Sequence, residues 1–193
     1  MSEQGLMESV KNGIVNTIRG SGEIVNAVTD TVSGTLVNAL KGTSAVGTAL
    51  TSSVSDVARG VIQGTSQVGG DLGGAAKGAM VGVLRGTNEV RGETMTTVSE
   101  GARSVVKSTA EVGGDVATAA KRAVEGAIQG ARDIGVDASQ AASAAANGAI
   151  RAAGDISKTA VNQVTEAVTG VIDGVKVVAS EPFESKEKGQ RKT

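Results

Sequence analysis

The stretch IQGTSQVG at residues 62–69 decides the architecture, because close variants of it recur along the whole chain. LKGTSAVG precedes it at residues 40–47, LRGTNEVR follows at residues 84–91, and VKSTAEVG follows at residues 106–113. Eight copies, 22 residues apart and without insertion or deletion, begin at Ile18, Leu40, Ile62, Leu84, Val106, Ile128, Ile150 and Ile172. Fixed self-similarity of this kind indicates a repeat architecture.

The aliphatic residues between the copies follow a helical period. After Leu40 they continue at Val46, Leu50 and Val54, mostly three or four residues apart. A unit of 22 residues equals six turns of about 3.67 residues, so an apolar stripe stays in phase along a helix. The unbroken phase predicts no turn inside each unit, and strand-like alternation fails to fit the pattern. The sequence therefore predicts an all-α protein: an extended or folded-back amphipathic helix of 22-residue (double 11-residue) repeats, or a helical bundle.

The repeat divides the chain into three segments. Residues 1–10 form an N-terminal lead-in, residues 11–179 form the repeat array, and residues 180–193 form a charged tail that we expect to be disordered. The Gly-rich stretch QVGGDLGGAAKGA at residues 67–79 is the candidate hinge at which the helix folds back. A helical wheel places one i, i+4 row on the polar side, so we interpret it as a flexible region: Gly70, Gly74, Gly78, Gly82 and Gly86.

The composition argues against catalysis and nucleic-acid binding. The chain has no His and no Cys, so the usual general base and the commonest metal ligands are missing. Its 19 basic and 20 acidic residues nearly balance, and a single Phe is its only aromatic residue, so it offers nucleic acid neither charge nor stacking. No phosphate-binding motif surrounds the repeated glycines. We predict a protein that is not an enzyme, with no cofactor, no metal, no nucleic acid and no small-molecule substrate.

The helix needs a partner for its apolar stripe. Each Gly in a helix costs about 0.5–1 kcal/mol relative to Ala, and isolated helices are marginal in water. We therefore expect a chain that is poorly ordered alone and becomes helical against a lipid surface or another copy of the stripe. The residues expected to form this lipid- or partner-binding stripe are Ile18, Ile24, Val28, Leu36, Leu40, Val46, Leu50, Val54, Ile62, Val68, Leu72, Leu84, Val90, Val106, Val112, Ile128, Ile150 and Ile172.

This pattern resembles that of amphipathic-helix proteins with 11- and 22-residue repeats: synucleins, exchangeable apolipoproteins, perilipin-type droplet proteins and late-embryogenesis-abundant proteins. The resemblance covers about residues 6–178 and rests on the period, the low aromatic content and phrases such as LRGTNEV. The repeats lack the Pro punctuation of apolipoproteins, and only Thr87 with Glu89 and Thr109 with Glu111 echo the synuclein core. The resemblance implies an apolar face that lies on lipid.

The polar side of the helix indicates which surface the protein meets. It is charge-balanced and rich in Ser, Thr and Gly, which is typical of helices that bind where lipid headgroups are sparse. No stretch reaches the ~18 apolar residues of a membrane span, and no secretory signal is apparent. We expect a non-catalytic cytoplasmic protein, peripheral on a lipid surface, that coats a lipid droplet, storage granule or curved membrane. The alternatives are a self-associating structural bundle or coiled coil, partnered as a homo-oligomer, and a stress protectant.

Overall fold

The structure, a computed structural model, describes residues 3–21, 24–40, 46–90 and 92–179. In these ranges eight α-helices are followed by one two-stranded antiparallel sheet. The helices are α1 (Glu3–Ser21), α2 (Ile24–Leu40), α3 (Val46–Gln67), α4 (Leu72–Glu89), α5 (Thr94–Glu111), α6 (Val116–Ile134), α7 (Ala138–Ile156) and α8 (Lys158–Val168). The strands are β1 (Gly170–Ile172) and β2 (Val175–Val177). The prediction of a helical, folded-back architecture is confirmed, and the alternative of one extended helix is wrong.

The helices form two layers, with odd-numbered helices in one and even-numbered helices in the other. The most extensive packing joins next-but-one helices: α1 with α3, α3 with α5 and α5 with α7 in the first layer, and α2 with α4 and α4 with α6 in the second. Consecutive helices also pack against each other, because short turns reverse the chain between them. Each pair of helices therefore adds one helix to each layer, as in a solenoid.

The repeated phrase encodes the end of one helix and the start of the next. Gly69 has a left-handed φ of +67°, and the Gly70 N–H donates to the carbonyl oxygen of Thr65 at 2.9 Å. This bond closes α3 in a Schellman motif. The Asp71 carboxylate then accepts a bond from the Gly73 N–H and caps α4. The same closing bond recurs from Gly92 to Thr87, from Gly114 to Thr109 and from Val136 to Ala131.

The expectation that an unbroken phase excludes a turn inside each unit is wrong. Helices α4 to α7 begin at Leu72, Thr94, Val116 and Ala138, each 22 residues after the last, so one unit is one helix plus one turn. The closing motif and the cap together need only about four residues, after which the apolar pattern resumes. The chain does reverse within the candidate hinge 67–79, between α3 and α4, but it reverses equally between α4 and α5, between α5 and α6, and between α6 and α7. Residues 3–10 belong to α1, and residues 180–193 lie outside the described part.

The core between the layers is aliphatic and built from small side chains. Its largest buried residues include Ile14, Leu36, Met80 and Leu84. Helix α7 contributes mainly alanines: Ala141, Ala142, Ala145, Ala146, Ala149, Ala152 and Ala153. The expectation that the stripes need an external partner does not hold in this fold, because the stripes of this chain bury one another.

The last described residues form a β-hairpin where the sequence predicts the end of the helical array. Asp173 and Gly174 have φ values of +47° and +77°, and Ile172 pairs with Val175 across them. Two left-handed residues between paired strands are typical of a type I′ turn, for which Asp-Gly is a favoured sequence. The prediction of a helix through these residues is wrong. The signal that could have revealed the hairpin is Asp-Gly between the β-branched runs VI and VKVV.

Candidate interaction surfaces

The predicted binding stripe lies inside the protein rather than on its surface. Eleven of its side chains are buried: Val28, Leu36, Leu40, Leu50, Val54, Ile62, Leu84, Val106, Ile128, Ile150 and Ile172. Five more are partly buried: Ile24, Val68, Leu72, Val90 and Val112. The side chains of Ile18 and Val46 lie outside the described part. In this fold the stripes contact one another, so they are not exposed to a lipid surface.

Glycines form the contact faces between parallel helices of the same layer. A Cβ atom added to Gly78 of α4 would lie 2.6 Å from the Val25 carbonyl oxygen of α2, and one added to Gly82 would lie 2.7 Å from that of Thr29. Gly86 would meet the Leu36 side chain at 3.1 Å. Gly78 and Gly82 thus allow backbone to approach backbone, and Gly86 allows the Leu36 side chain to pack on α4. All three are buried in these contacts, so the interpretation of this row as a flexible region is wrong for them. Gly70 and Gly74 belong instead to the turn and to the first residues of α4.

The same contact recurs in both layers at a fixed place in the repeat. Gly60 and Gly64 of α3 face the carbonyl oxygens of Met7 and Lys11 of α1, where added Cβ atoms would lie at 2.8 and 2.9 Å. A small residue recurs at the Gly60 position in each later unit: Gly82, Ser104, Gly126 and Gly148. Of these, Gly126 faces the Lys77 carbonyl oxygen and Gly148 faces that of Ser99.

The first helix of each layer departs from this rule. Asn16 in α1 and Asn38 in α2 stand at the Gly60 position, and both side chains are exposed. Because neither helix follows a neighbour in its layer, a larger polar side chain fits there without a clash. Polar outer faces of this kind are typical of the terminal units of repeat proteins.

The outer surface is polar, and some of its charges are paired between helices. Arg85 of α4 pairs with Asp133 of α6 at 2.8 Å, and Arg103 of α5 pairs with Asp155 of α7 at 3.1 Å. These side chains are between 33% and 54% exposed, so each pair contributes at most about 1 kcal/mol. The two acids therefore join next-but-one helices across the outer surface.

The β-hairpin packs against the N-terminal half of α7. The Ser139 hydroxyl donates to the Lys176 carbonyl oxygen at 3.4 Å, and the Val178 N–H donates to the Ser143 hydroxyl oxygen at 3.4 Å. The exposed large hydrophobic residues of the described chain are Val171, Val178 and Ile156. Val171 lies in β1, and Val178 directly follows β2. They are 74% and 62% exposed. Two of the three exposed large hydrophobic residues of the described chain therefore lie in or beside the hairpin.

A polar cleft of about 570 Å³ lies beside the hairpin, between α6, α8 and β1. It is lined by Asp115, Ala117, Lys121, Gln163, Glu166, Ala167, Thr169, Val171 and Ile172. The backbone N–H and the hydroxyl of Thr118 donate to the Asp115 carboxylate and hold its pKa below 3.8. This carboxylate caps α6 and is therefore already engaged.

The described ranges contain no group of three acidic side chains placed to hold a metal ion. Of the helices in those ranges, none is both long and apolar enough to cross a membrane.

Comparison with known proteins supports the architecture alone. No protein-family model matches the sequence, and no curated protein matches it. The chain is similar in structure to the crystal structure of the de novo designed helical repeat protein DHR7, with a TM-score of 0.53 and 16% sequence identity. The likeness covers 86% of this chain and 92% of the designed one. At this identity it shows a shared helical-repeat fold and nothing about function.

Proposed function

We propose that this protein is a non-catalytic structural scaffold, a helical-repeat array whose apolar stripes are used for its own folding. The observation that carries the proposal is the burial of the stripe. All sixteen of its described side chains are buried or partly buried, whereas the outward-facing residues are mostly polar and of both charges. Close approach of helix backbones at the glycines supports a stiff array, because close-packed protein interiors resist compression.

The first test is the state of the purified chain in buffer. We expect strong helical circular dichroism and one cooperative urea transition without any additive. Adding vesicles of neutral phospholipid, or an oil emulsion stabilised by phospholipid, is expected to leave both unchanged. A chain that is disordered in buffer and helical on lipid would overturn the scaffold proposal.

A second candidate function is the coating of a lipid surface by an opened form of the array. The observation that favours it is that helices α3 to α7 carry their apolar side chains on one face and are joined by short turns. Extension of the array, in which next-but-one helices such as α3 and α5 move apart, would expose these faces together. In the array as described, the same faces are closed.

A disulfide lock separates the two candidates. The hydroxyl oxygens of Ser55 in α3 and Ser104 in α5 are 3.1 Å apart, close enough for a bridge between cysteines at these positions. The chain has no cysteine of its own, so Ser55→Cys/Ser104→Cys can form only this intramolecular bond. If coating requires opening, the reduced protein binds the oil emulsion and the oxidised protein does not. If the protein is a scaffold, neither form binds, and the Ser55→Cys single variant controls for the added thiol.

A further inference from the structure

The β-hairpin occupies the place at which another helix of the odd-numbered layer would pack. Two repeats, and so one helix of each layer, span 44 residues. Equivalent positions in the odd-numbered helices α1, α3, α5 and α7 are therefore Lys11, Ser55, Ser99 and Ser143. The first three of these residues contact the next odd helix: Lys11 meets Gly64, Ser55 bonds to Ser104, and Ser99 meets Gly148. Ser143 of α7 has no such helix to meet in the described chain. It accepts a bond from Val178 at the end of the hairpin.

At a second position of α7, the hairpin again makes the contact that an odd-numbered helix makes elsewhere in the array. Met7 of α1 faces Gly60 of α3, and three steps of 44 residues lead from Met7 to Ser139, which bonds to Lys176 of β2. The hairpin therefore covers the face of α7 that is equivalent to the face by which α1 contacts α3. Its two bonds to α7 are both 3.4 Å long, at the weak end of the range for hydrogen bonds.

Two glycines of the hairpin stand at the repeat positions of Gly60 and Gly64, through which α3 contacts α1. Gly170 and Gly174 follow Gly148 and Ala152 by 22 residues. In α7, Gly148 faces Ser99 of α5, whereas in the hairpin Gly170 and Gly174 adopt positive φ, at +103° and +77°. The last repeat has thus become a cap that closes the array instead of extending it.

We propose that the α7 face beneath the hairpin is a helix-docking surface, closed by the hairpin, and that its partner is α1 of a second copy of this chain. Within the described residues no helix of the odd-numbered layer packs on the face of α1 that points away from α3. That face presents the exposed residues Gly5, Ser9 and Asn16, and small residues at such spacing permit close helix contact. Docking of α1 on α7 continues an interface that the array already uses between α1 and α3.

The proposed association is head to tail. It rests on the proposed function, because it requires the folded array, and it gives the scaffold a way to lengthen when the hairpin is displaced. Contacts of this heterologous type do not close on themselves unless the rotation between copies forms a ring. Asn16 limits the affinity, since it stands where later helices carry a small residue.

The test breaks the hairpin turn in the full-length chain. Asp173→Val/Gly174→Val places two β-branched residues at positive φ, which such residues strongly disfavour. The matched control is Asp173→Asn, because Asn-Gly supports the same turn. Molar mass is measured by light scattering after gel filtration over a hundredfold range of concentration, with helicity checked by circular dichroism.

We expect the wild type and the control to keep the monomer mass of 19.0 kDa, and the turn variant to at least double its mass as concentration rises. In the turn-variant background, Asn16→Gly is expected to lower the concentration of half-association at least tenfold, and Asn16→Lys to restore the monomer. A helical turn variant that stays monomeric overturns the inference, as does association that ignores both Asn16 changes. Loss of helicity in the turn variant also counts against it, since a cap of this kind is dispensable to the helices. The scaffold proposal fails separately, if the wild type itself is disordered in buffer.

Discussion

Replacement of Gly148 by Ala tests the backbone contact between α5 and α7. An added Cβ atom would collide with the Ser99 carbonyl oxygen and would lie 2.8 Å from the Ser99 carbonyl carbon and 3.0 Å from its Cα. Carbon atoms in contact are about 3.5–4.0 Å apart, so α7 must retreat by roughly 0.5–1 Å. Overpacking of this kind costs about 1–3 kcal/mol, while the higher helix propensity of Ala returns about 0.5–1 kcal/mol. We expect the free energy of unfolding to fall by about 1–2 kcal/mol, as a balance of these two effects.

The same helix provides the control. Gly154 is exposed, and an added Cβ atom there meets no heavy atom within 4 Å. Gly154→Ala is therefore expected to raise the free energy of unfolding by up to about 1 kcal/mol through helix propensity alone. Urea unfolding followed by circular dichroism measures both variants against the wild type. A Gly148→Ala protein as stable as Gly154→Ala would refute the inference that the two helices touch through their backbones.

Three further predictions concern the turns. Glu93 at the N-cap of α5 accepts a bond from the Thr96 hydroxyl but none from a backbone N–H, unlike Asp115. Glu93→Asp is expected to raise stability by about 0.5–1 kcal/mol in thermal melts, and an unchanged melting temperature would contradict this. Gly113 has a φ of +74°, so Gly113→Ala is expected to lower stability by about 1 kcal/mol or more in urea unfolding, and no loss would count against the closing motif. The bonds from Thr118 lower the pKa of Asp115 in the folded state, so its contribution to stability is complete above the unfolded value of 3.8 and is lost as pH falls below it. Asp115→Asn is expected to weaken the decline of the urea midpoint below that pH, and a decline as steep as that of the wild type would show that this carboxylate is not responsible.

Much of the fold could be predicted from the period of the sequence, because burial follows the helical phase. Ile62 and Ile128 were expected on the apolar stripe, and both are buried. The turns could not be separated from a continuous helix by phase alone. A unit of 22 residues keeps the stripe aligned whether it forms six helical turns or one helix with a short reversal. The distinction depends on Gly69 and Asp71 and their equivalents, which act through local backbone geometry rather than through hydrophobicity.

The candidate surfaces were less predictable than the helices. A wheel describes one isolated helix, on which Gly78 and Gly82 fall on the polar side. In the folded protein that side meets the backbone of α2, because a helix in a two-layer array has neighbours on several sides. The hairpin carried a readable signal in Asp173 and Gly174, but the surrounding helical repeat obscured it.

The sequence by itself determined that the chain is helical, that its helices carry one apolar face each, and that this face must be buried. Only the tertiary structure decided what covers it. An amphipathic stripe requires an apolar neighbour, but its residues do not specify whether that neighbour is lipid, another chain or the next helix of the same chain. The short turns settle that choice, because they bring the stripes of consecutive helices together within one molecule.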